Sequence, residues 1–346
     1  MSPRGERAMV DPAEFRSYYG RPILKEPAWK QPDVPLYLFL GGAAGASASM
    51  AALADATGRP ELAKVGRLAA SGGSIASVVA LIHDLGKPTR FLNMLRVLKP
   101  TSPLSVGSWI LSPFSGLAAA AAFTALTGRF PRLGRLAGAG AGVLGPAMCT
   151  YTAVLLADTA TPSWHEAHGT LPVLFAGSAV TSGAGIALIS VPRTENGPVV
   201  RAGIAGAVAE LAAEQHLETG LGLASEPYRT GRAGRLLKAA KVLTAAGATL
   251  SLAARKNRAA GVAAGAAYLA SGLCTRFGVY AAGVESTKDP KYVVVPQRER
   301  LAAKRWGGVK SGPPPPPPPV PGAPPRTTPR APPPPPRDSR GPREPG

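Results

Sequence analysis

Charge, cysteine and histidine are all scarce in this sequence. Of its 346 residues 17% are charged, two are cysteines and four are histidines. An iron–sulfur cluster takes four protein ligands, so two cysteines exclude a cluster held by this chain alone. We also expect no haem, because the histidines fall in loops or near the ends of apolar segments, where no two of them face each other inside a bundle.

Charge is absent altogether from several long windows. An α-helix needs about 20 residues to cross roughly 30 Å of hydrocarbon, and four windows reach that length. Three shorter apolar runs become spans if the basic residue at one end of each, Arg67, Lys241 or Arg276, extends toward the lipid headgroups. The windows are Val34–Ala54, Pro100–Gly128, Leu136–Ala157 and Gly169–Pro192, and the shorter runs are Leu68–Ile82, Val242–Ala254 and Ala259–Thr275.

An eighth segment, from Val199 to about Leu217, is apolar on most sides but carries Glu210 and Glu214. It suits either a polar membrane helix or an amphipathic surface helix. Counted as a span, it predicts an all-α integral membrane protein with about eight transmembrane helices in a bundle and both ends on one side. We call that side face A. It carries the N-terminal segment and the connections at 84–103, 158–168 and 218–241, and the opposite side is face B.

A soluble helical protein rich in alanine and glycine is the alternative fold, because such a composition raises hydropathy without a membrane. It would need polar faces at helical period on most of its helices, and the four long windows have none. Glycines four residues apart, such as Gly41 and Gly45 or Gly261 and Gly265, also favour helices that pack closely in lipid. The membrane fold is therefore the prediction.

Composition divides the chain into four segments. A polar N-terminal segment (1–33) precedes the transmembrane domain (34–283), which is followed by a basic juxtamembrane segment (284–310) and a proline-rich tail (311–346). The tail holds 18 of the 38 prolines, which lack backbone donors, so we expect it to be disordered. We expect a multi-pass protein of the cell membrane, in contact with the lipid bilayer and without a nucleic-acid partner.

Three polar and aromatic clusters converge on face A. One ends the second span, from His83 to Leu95; one opens the third, from Ser105 to Trp109; and one ends the fourth, from Tyr151 to Glu166. Interfacial aromatic residues and basic loops are ordinary in membrane proteins, so each cluster alone carries little information. Their convergence from separate segments indicates a pocket.

These clusters resemble the polysulfide-reductase membrane-subunit family, the NrfD-like proteins. The residues that carry the resemblance are Asp84-Leu85-Gly86-Lys87-Pro88 with Arg90-Phe91 and Asn93-Met94-Leu95, Ser105-x-Gly107-Ser108-Trp109, and Tyr151-Thr152 with Leu155-Leu156, Pro162 and Trp164-His165-Glu166. Order and spacing match from about Pro22 to Gly283. The resemblance implies an eight-helix subunit, without a redox cofactor of its own, that binds quinone or quinol of the menaquinone or ubiquinone type. It also implies a ferredoxin-like iron–sulfur partner subunit, and beyond it a catalytic subunit of the molybdopterin type.

A quinone site needs apolar walls, one or two polar groups for the quinone oxygens and a proton acceptor. We expect Tyr37, Asp84 and Tyr151 to supply the polar groups. A tyrosine hydroxyl can donate to a quinone carbonyl, and Asp84 either relays the proton or pairs with a neighbouring cation at the end of its helix. The residues expected to support the site or to dock the partner are Lys87, Arg90, Trp109, Asp158 and His165.

Two acids of the eighth segment, Glu210 and Glu214, lie four residues apart on one helical face. Inside a bilayer they need partners, so they form either an ion-pair cluster with Lys238 and Lys241 or a path for protons. The resemblance to the NrfD-like proteins implies an electron-transfer subunit that is not catalytic alone. A secondary transporter or a purely structural anchor for a soluble dehydrogenase are the alternatives, although no internal repeat of the transporter kind is visible.

Overall fold

The computed structural model describes residues 23–87 and 89–307, with side chains described as far as residue 301. This part of the chain is helical throughout, with short connections and no strand. The helices are α1 (Asp33–Ala56), α2 (Pro60–Leu85), α3 (Thr89–Met94), α4 (Pro103–Thr127), α5 (Pro131–Ala157), α6 (Pro162–Glu166), α7 (Leu171–Ser190), α8 (Gly197–Thr219), α9 (Glu226–Arg229), α10 (Gly231–Ala253), α11 (Arg258–Lys288) and α12 (Lys291–Gly307).

Seven of the described helices are long and apolar enough to cross a membrane, judged by length and composition. They are α1, α2, α4, α5, α7, α10 and α11. The predicted all-α membrane fold is thereby confirmed. Proline, which needs no backbone donor partner in the first helical turn, stands near the start of α2, α4, α5, α7 and α8.

Helix α8 is long enough to span but too polar to count by composition, and its ends show its path. On face B, Asn196 Nδ2 donates to the Ala254 carbonyl just after α10. On face A, Ser163 Oγ of α6 donates to the Ala224 carbonyl in the 3₁₀ turn that follows α8. Helix α8 therefore runs from face B to face A beside the seven apolar helices, and eight helices cross the described bundle.

The predicted ends of three spans were wrong. The second span begins at Pro60 rather than Leu68, α10 begins at Gly231, and α11 runs for 31 residues to Lys288. Arg67 does not extend to the headgroups but pairs with Asp55 of α1. Arg276 is buried in the bundle, with 1% of its surface exposed. Because each of these cations interacts with residues of neighbouring helices, each can lie inside a spanning helix and need not mark its end.

Glycines bring the central helices into backbone contact. Where α1 crosses α5, a Cβ on Gly45 would lie 2.7 Å from the Gly145 carbonyl oxygen. Where α7 crosses α11, a Cβ on Gly185 would lie 2.8 Å from the Gly265 carbonyl oxygen. Such small residues let membrane helices approach closely, and the glycine pairs of the sequence lie at these crossings.

The bundle belongs to a compact unit that ends at Glu299, and the chain from Arg300 onward forms a second unit. Of that second unit the structure describes only the end of α12. The proline-rich tail (311–346) and most of the polar N-terminal segment lie outside the described residues.

Candidate functional site

An N-terminal segment lies across the face A end of the bundle before α1 begins. The Trp29 ring stacks on the buried Trp164 ring of α6, with 5.8 Å between centroids. The Tyr280 hydroxyl of α11 donates to the Trp29 carbonyl at 2.7 Å, and Trp164 Nε1 donates to the Val279 carbonyl at 2.8 Å. A cavity of about 360 Å³ lies between this segment and α6. The segment thus closes one end of the bundle.

Helix α9 is held to the same end of the bundle by a buried tyrosine. The Tyr228 hydroxyl donates to the Ser163 carbonyl at 2.9 Å. Burial raises the pKa of Tyr228, so it stays a hydroxyl donor at any physiological pH.

Asp84, at the end of α2, holds the N-terminal segment through a backbone contact. The Lys30 N–H donates to Asp84 Oδ1 at 2.8 Å, and Lys30 Nζ donates to the His83 carbonyl at 3.3 Å. Next to it, His83 Nδ1 lies 2.6 Å from the Asp33 carboxylate. Asp84 therefore links α2 to the chain that enters α1.

The alternative role for Asp84, an ion pair with Lys87 or Arg90, is wrong. Neither cation lies within ion-pair distance of Asp84, and both are exposed. Arg90 instead donates to the Leu85 carbonyl at 3.1 Å, at the last turn of α2. Asp84 Oδ2 has no hydrogen-bond partner among residues 23–87 and 89–301, so this oxygen is available to a ligand or a proton.

Tyr37, Tyr151 and Asp84 come together from three helices. Tyr37 of α1 is buried, with 4% of its surface exposed, and lies within electrostatic range of both Tyr151 and Asp84. The Tyr151 ring of α5 packs closely against α4, where a Cβ on Gly107 would lie 2.6 Å from the tyrosine ring. Neither tyrosine hydroxyl has a hydrogen-bond partner in the described part of the chain. The surrounding core is apolar and includes Phe114.

The residues predicted to support the site or dock a partner share one property, exposure at face A. Trp109 is 42% exposed at the start of α4. His165 is exposed as well, and its Nδ1 contacts the Ala157 carbonyl at 3.3 Å. The other three, Lys87, Arg90 and Asp158, are also exposed. These five residues are separate from the group formed by Tyr37, Tyr151 and Asp84, and they lie on the surface of face A.

Glu210 lies inside the bundle, with none of its surface exposed. It accepts hydrogen bonds from Thr181 Oγ1 of α7 at 3.0 Å and from Thr275 Oγ1 of α11 at 2.9 Å. Arg276, next in α11, interacts electrostatically with Glu210. No ion pair joins the two, so the carboxylate is stabilised by hydroxyl groups and by a nearby positive charge.

Arg276 is only partly satisfied by its neighbours. Its Nη2 donates to the Phe175 carbonyl at 3.0 Å, and the guanidinium lies 3.8 Å above the Phe175 ring. Its Nε and Nη1 have no partner among the residues that the structure describes. Sequence reasoning missed Arg276 and treated it as the end of a span. The signal that could have found it is a single cation within an otherwise apolar helical run, directly after Thr275.

Glu214 lies one turn from Glu210 and is 2% exposed. Both of its carboxylate oxygens lack a hydrogen-bond partner within the described residues. Of the two alternatives for these acids, direct ion pairs with Lys238 or Lys241 are not found among the described residues, and Lys241 Nζ pairs instead with Glu218 at 2.8 Å. Electrostatic interactions connect Glu214 to Glu210, Lys241 and Glu218. A line of ionisable groups thus runs from Arg276 toward face A.

The described residues contain no group of three or more His, Cys, Asp and Glu side chains that could hold a metal ion. Two features of the described bundle have polar atoms without a protein partner, the tyrosine pair with Asp84 and the buried line from Arg276 to Glu218.

Comparison with known families identifies a match over part of the chain. Residues 26–196 match the family described as Polysulphide reductase, NrfD. The match begins at the N-terminal segment and covers α1 to α7, so it includes Tyr37, Asp84 and Tyr151 and excludes α8, α10 and α11. No curated protein matches the chain.

Proposed function

Because residues 26–196 belong to the NrfD family, as the face A motifs predicted, we propose that the protein is the quinone-interacting membrane subunit of a multi-subunit oxidoreductase. The family consists of membrane subunits of redox complexes, so a multi-pass membrane protein with partner subunits follows from membership. We infer further that it passes electrons between a quinone pool of the cell membrane and an iron–sulfur partner.

The observation that supports a quinone site is the pair of free tyrosine hydroxyls beside Asp84. Quinol oxidation releases two protons with two electrons, so the site needs donors for the quinone oxygens and a proton acceptor within reach. Tyr37 and Tyr151 supply hydroxyls on an apolar wall, which is the usual composition of a small-molecule site. Asp84 Oδ2 supplies the acceptor. In this proposal the ring of a menaquinone or ubiquinone lies between α1 and α5 near face A.

Face A is also the proposed docking surface for the iron–sulfur subunit. Electrons tunnel only over short distances, so the cluster must approach the membrane on the side of the quinone. The exposed groups of that side include Lys87, Arg90 and Trp109, with Leu92 of α3 64% exposed beside them. A molybdopterin-type catalytic subunit lies beyond the iron–sulfur subunit and holds the distal substrate.

Photolabelling tests the quinone site directly. An azidoquinone bound to the membrane-extracted complex should label peptides of α1 around Tyr37 and of α5 around Tyr151, and excess quinol should suppress that labelling. Such labelling would place the quinone ring beside the two tyrosine hydroxyls. Labelling confined to the face B ends of the helices, near Arg59 or Phe130, would exclude this site.

The buried acids support a second part of the proposal, proton movement through α8. Glu210 and Glu214 are buried in the bundle without a salt-bridge partner among the described residues. Their burial costs free energy, and acids kept inside a membrane bundle at such a cost usually serve a function. In this proposal the line from Arg276 through Glu214 to face A carries protons released at or taken up by the quinone site.

The number of protons moved per quinol oxidised tests the proton path. In proteoliposomes that contain the complex, Glu210→Gln should reduce proton movement per quinol oxidised, because an amide cannot release a proton. Glu285→Gln is the matched control, since Glu285 is exposed at face A and pairs with Lys288. Equal proton movement in Glu210→Gln and the unsubstituted complex would show that Glu210 has a structural role only.

A further inference from the structure

A cavity of about 320 Å³ lies on face B, at the opposite end of α1 from Tyr37. It is formed by the end of α1, the start of α2 and the start of α8. Its walls are mostly apolar, and Leu53, Leu62, Val199 and Ala202 contribute to them. The charged residues of its lining are Arg59 and Arg201.

The two guanidinium groups lack an acidic partner among the described residues. Arg59 Nη1 donates to the Thr57 carbonyl at 3.3 Å, and Arg201 has neither a hydrogen bond nor an ion pair within the described part of the chain. No acid lines the cavity. The carboxylate of the neighbouring loop, Glu195, accepts from the Leu62 N–H at 2.9 Å and forms no ion pair with either arginine. Two positive charges therefore remain uncompensated beside an apolar cavity.

The position of the two arginines fits the boundary between lipid chains and headgroups. Arg59 precedes α2 directly, and Arg201 is the fifth residue of α8. At 1.5 Å per residue, Arg201 lies only about 6 Å inside the end of its helix. A long arginine side chain at that depth extends to the headgroup level. Leu53, which lines the cavity, is 67% exposed, so the cavity opens on the side of the bundle that faces lipid.

We propose that this cavity binds an acidic phospholipid, with the phosphate between Arg59 and Arg201 and an acyl chain along Leu53, Leu62 and Ala202. Guanidinium groups bind phosphate oxygens in a bidentate manner, and basic pockets between membrane helices suit anionic headgroups. A zwitterionic lipid has no net charge, because its cationic group offsets its phosphate, whereas an acidic phospholipid compensates part of the positive charge of the two arginines. A soluble phosphate would leave the apolar walls in contact with water.

Native mass spectrometry of the full chain in detergent, after incubation with equimolar phosphatidylglycerol and phosphatidylcholine, tests the charges. The unsubstituted protein should retain phosphatidylglycerol in preference. Arg59→Gln with Arg201→Gln should lower that preference by roughly tenfold or more, because each surface cation contributes to the attraction of anionic lipid. The control is Arg129→Gln with Arg132→Gln, two exposed arginines of the same face outside the cavity. An unchanged preference in the Arg59 and Arg201 double variant overturns the proposal.

A second variant tests the apolar walls and carries the experiment if the double variant fails to fold. Ala202→Phe fills the cavity without changing charge, so it should abolish retention of phosphatidylglycerol. Retention equal to that of the unsubstituted protein overturns the proposal. Glycerol 1-phosphate, which has the anionic group without acyl chains, should not displace the bound lipid at millimolar concentration. If it does, the site binds a soluble anion and the lipid assignment is wrong.

Discussion

Asp84 shows how one side chain can serve the fold and the proposed chemistry at once. One carboxylate oxygen accepts the Lys30 N–H and fixes the N-terminal segment, while the other has no partner in the described residues. The two roles need different properties. Holding the segment needs an acceptor, whereas taking up a proton needs a carboxylate. An amide supplies the first property without the second.

Substitution at Asp84 separates these roles. Asp84→Asn keeps an acceptor for Lys30, so subunit assembly should be preserved while quinol-dependent electron transfer falls by roughly 10²-fold or more. Asp84→Ala removes the acceptor and should reduce the yield of assembled complex as well. Both are measured as quinol oxidation normalised to iron–sulfur content. Asp289→Asn, at the face A end of α11, is the control. Full turnover in Asp84→Asn would mean that Asp84 only holds the segment.

Sequence reasoning reached the candidate residues but not their contacts. Tyr37, Asp84 and Tyr151 were named from their places at the face A ends of apolar windows, and in the structure Tyr37 lies within electrostatic range of the other two. Quinone binding by these residues stays a prediction. The contact between Asp84 and the Lys30 N–H could not be predicted, because any carboxylate can accept from any backbone N–H that the fold places nearby. The same holds for Arg276, whose position depends on Phe175 and Glu210 of other helices.

At the scale of helices, close backbone contact fixes how the bundle is packed. The crossing of α1 and α5 at Gly45 and Gly145 has no room for a side chain on either residue. The existence and order of the helices could be predicted from charge-free windows, because the thickness of the bilayer's hydrocarbon core sets the length of a spanning helix. The ends of the helices could not be predicted in this way. Arg67 pairs with Asp55 inside the bundle, and a partner on another helix cannot be recognised from a local stretch of sequence.

The close crossing predicts that one added methyl group destabilises the protein at Gly145 but not at Gly116. Gly145→Ala places a Cβ 2.5 Å from the Gly45 carbonyl oxygen, so α1 and α5 must separate, and we expect a loss of about 1–3 kcal/mol in unfolding free energy. Gly116→Ala, in α4 with no atom within 4 Å of the new Cβ, is the matched control and should be neutral or slightly stabilising. Thermal unfolding of the purified chain in detergent measures both. Equal melting temperatures for the two variants would contradict the close crossing.

At the scale of the whole molecule, the two faces of the bundle differ in chemistry. Face A has the tyrosine pair, Asp84 and the exposed groups proposed to dock an iron–sulfur partner. Face B has the apolar cavity with Arg59 and Arg201. The family match covers the helices of the proposed quinone site, and the buried acids lie in α8, outside the matched residues. Quinone binding and proton movement are therefore supported by different parts of the chain and can be tested apart.

The central claim is that the hydroxyls of Tyr37 and Tyr151 bind quinone. Quinol oxidation by the assembled complex, normalised to iron–sulfur content, tests it most directly in the variant with both Tyr37→Phe and Tyr151→Phe. Phenylalanine keeps the packing of the ring and removes only the hydroxyl, so assembly should be unchanged. Tyr268→Phe, a buried tyrosine of a different apolar cluster, is the control. We expect electron transfer to fall by roughly 5- to 150-fold in the double variant, since each lost hydrogen bond is worth roughly 0.5–1.5 kcal/mol, and we expect full activity in the control. Full activity in the double variant would contradict the claim.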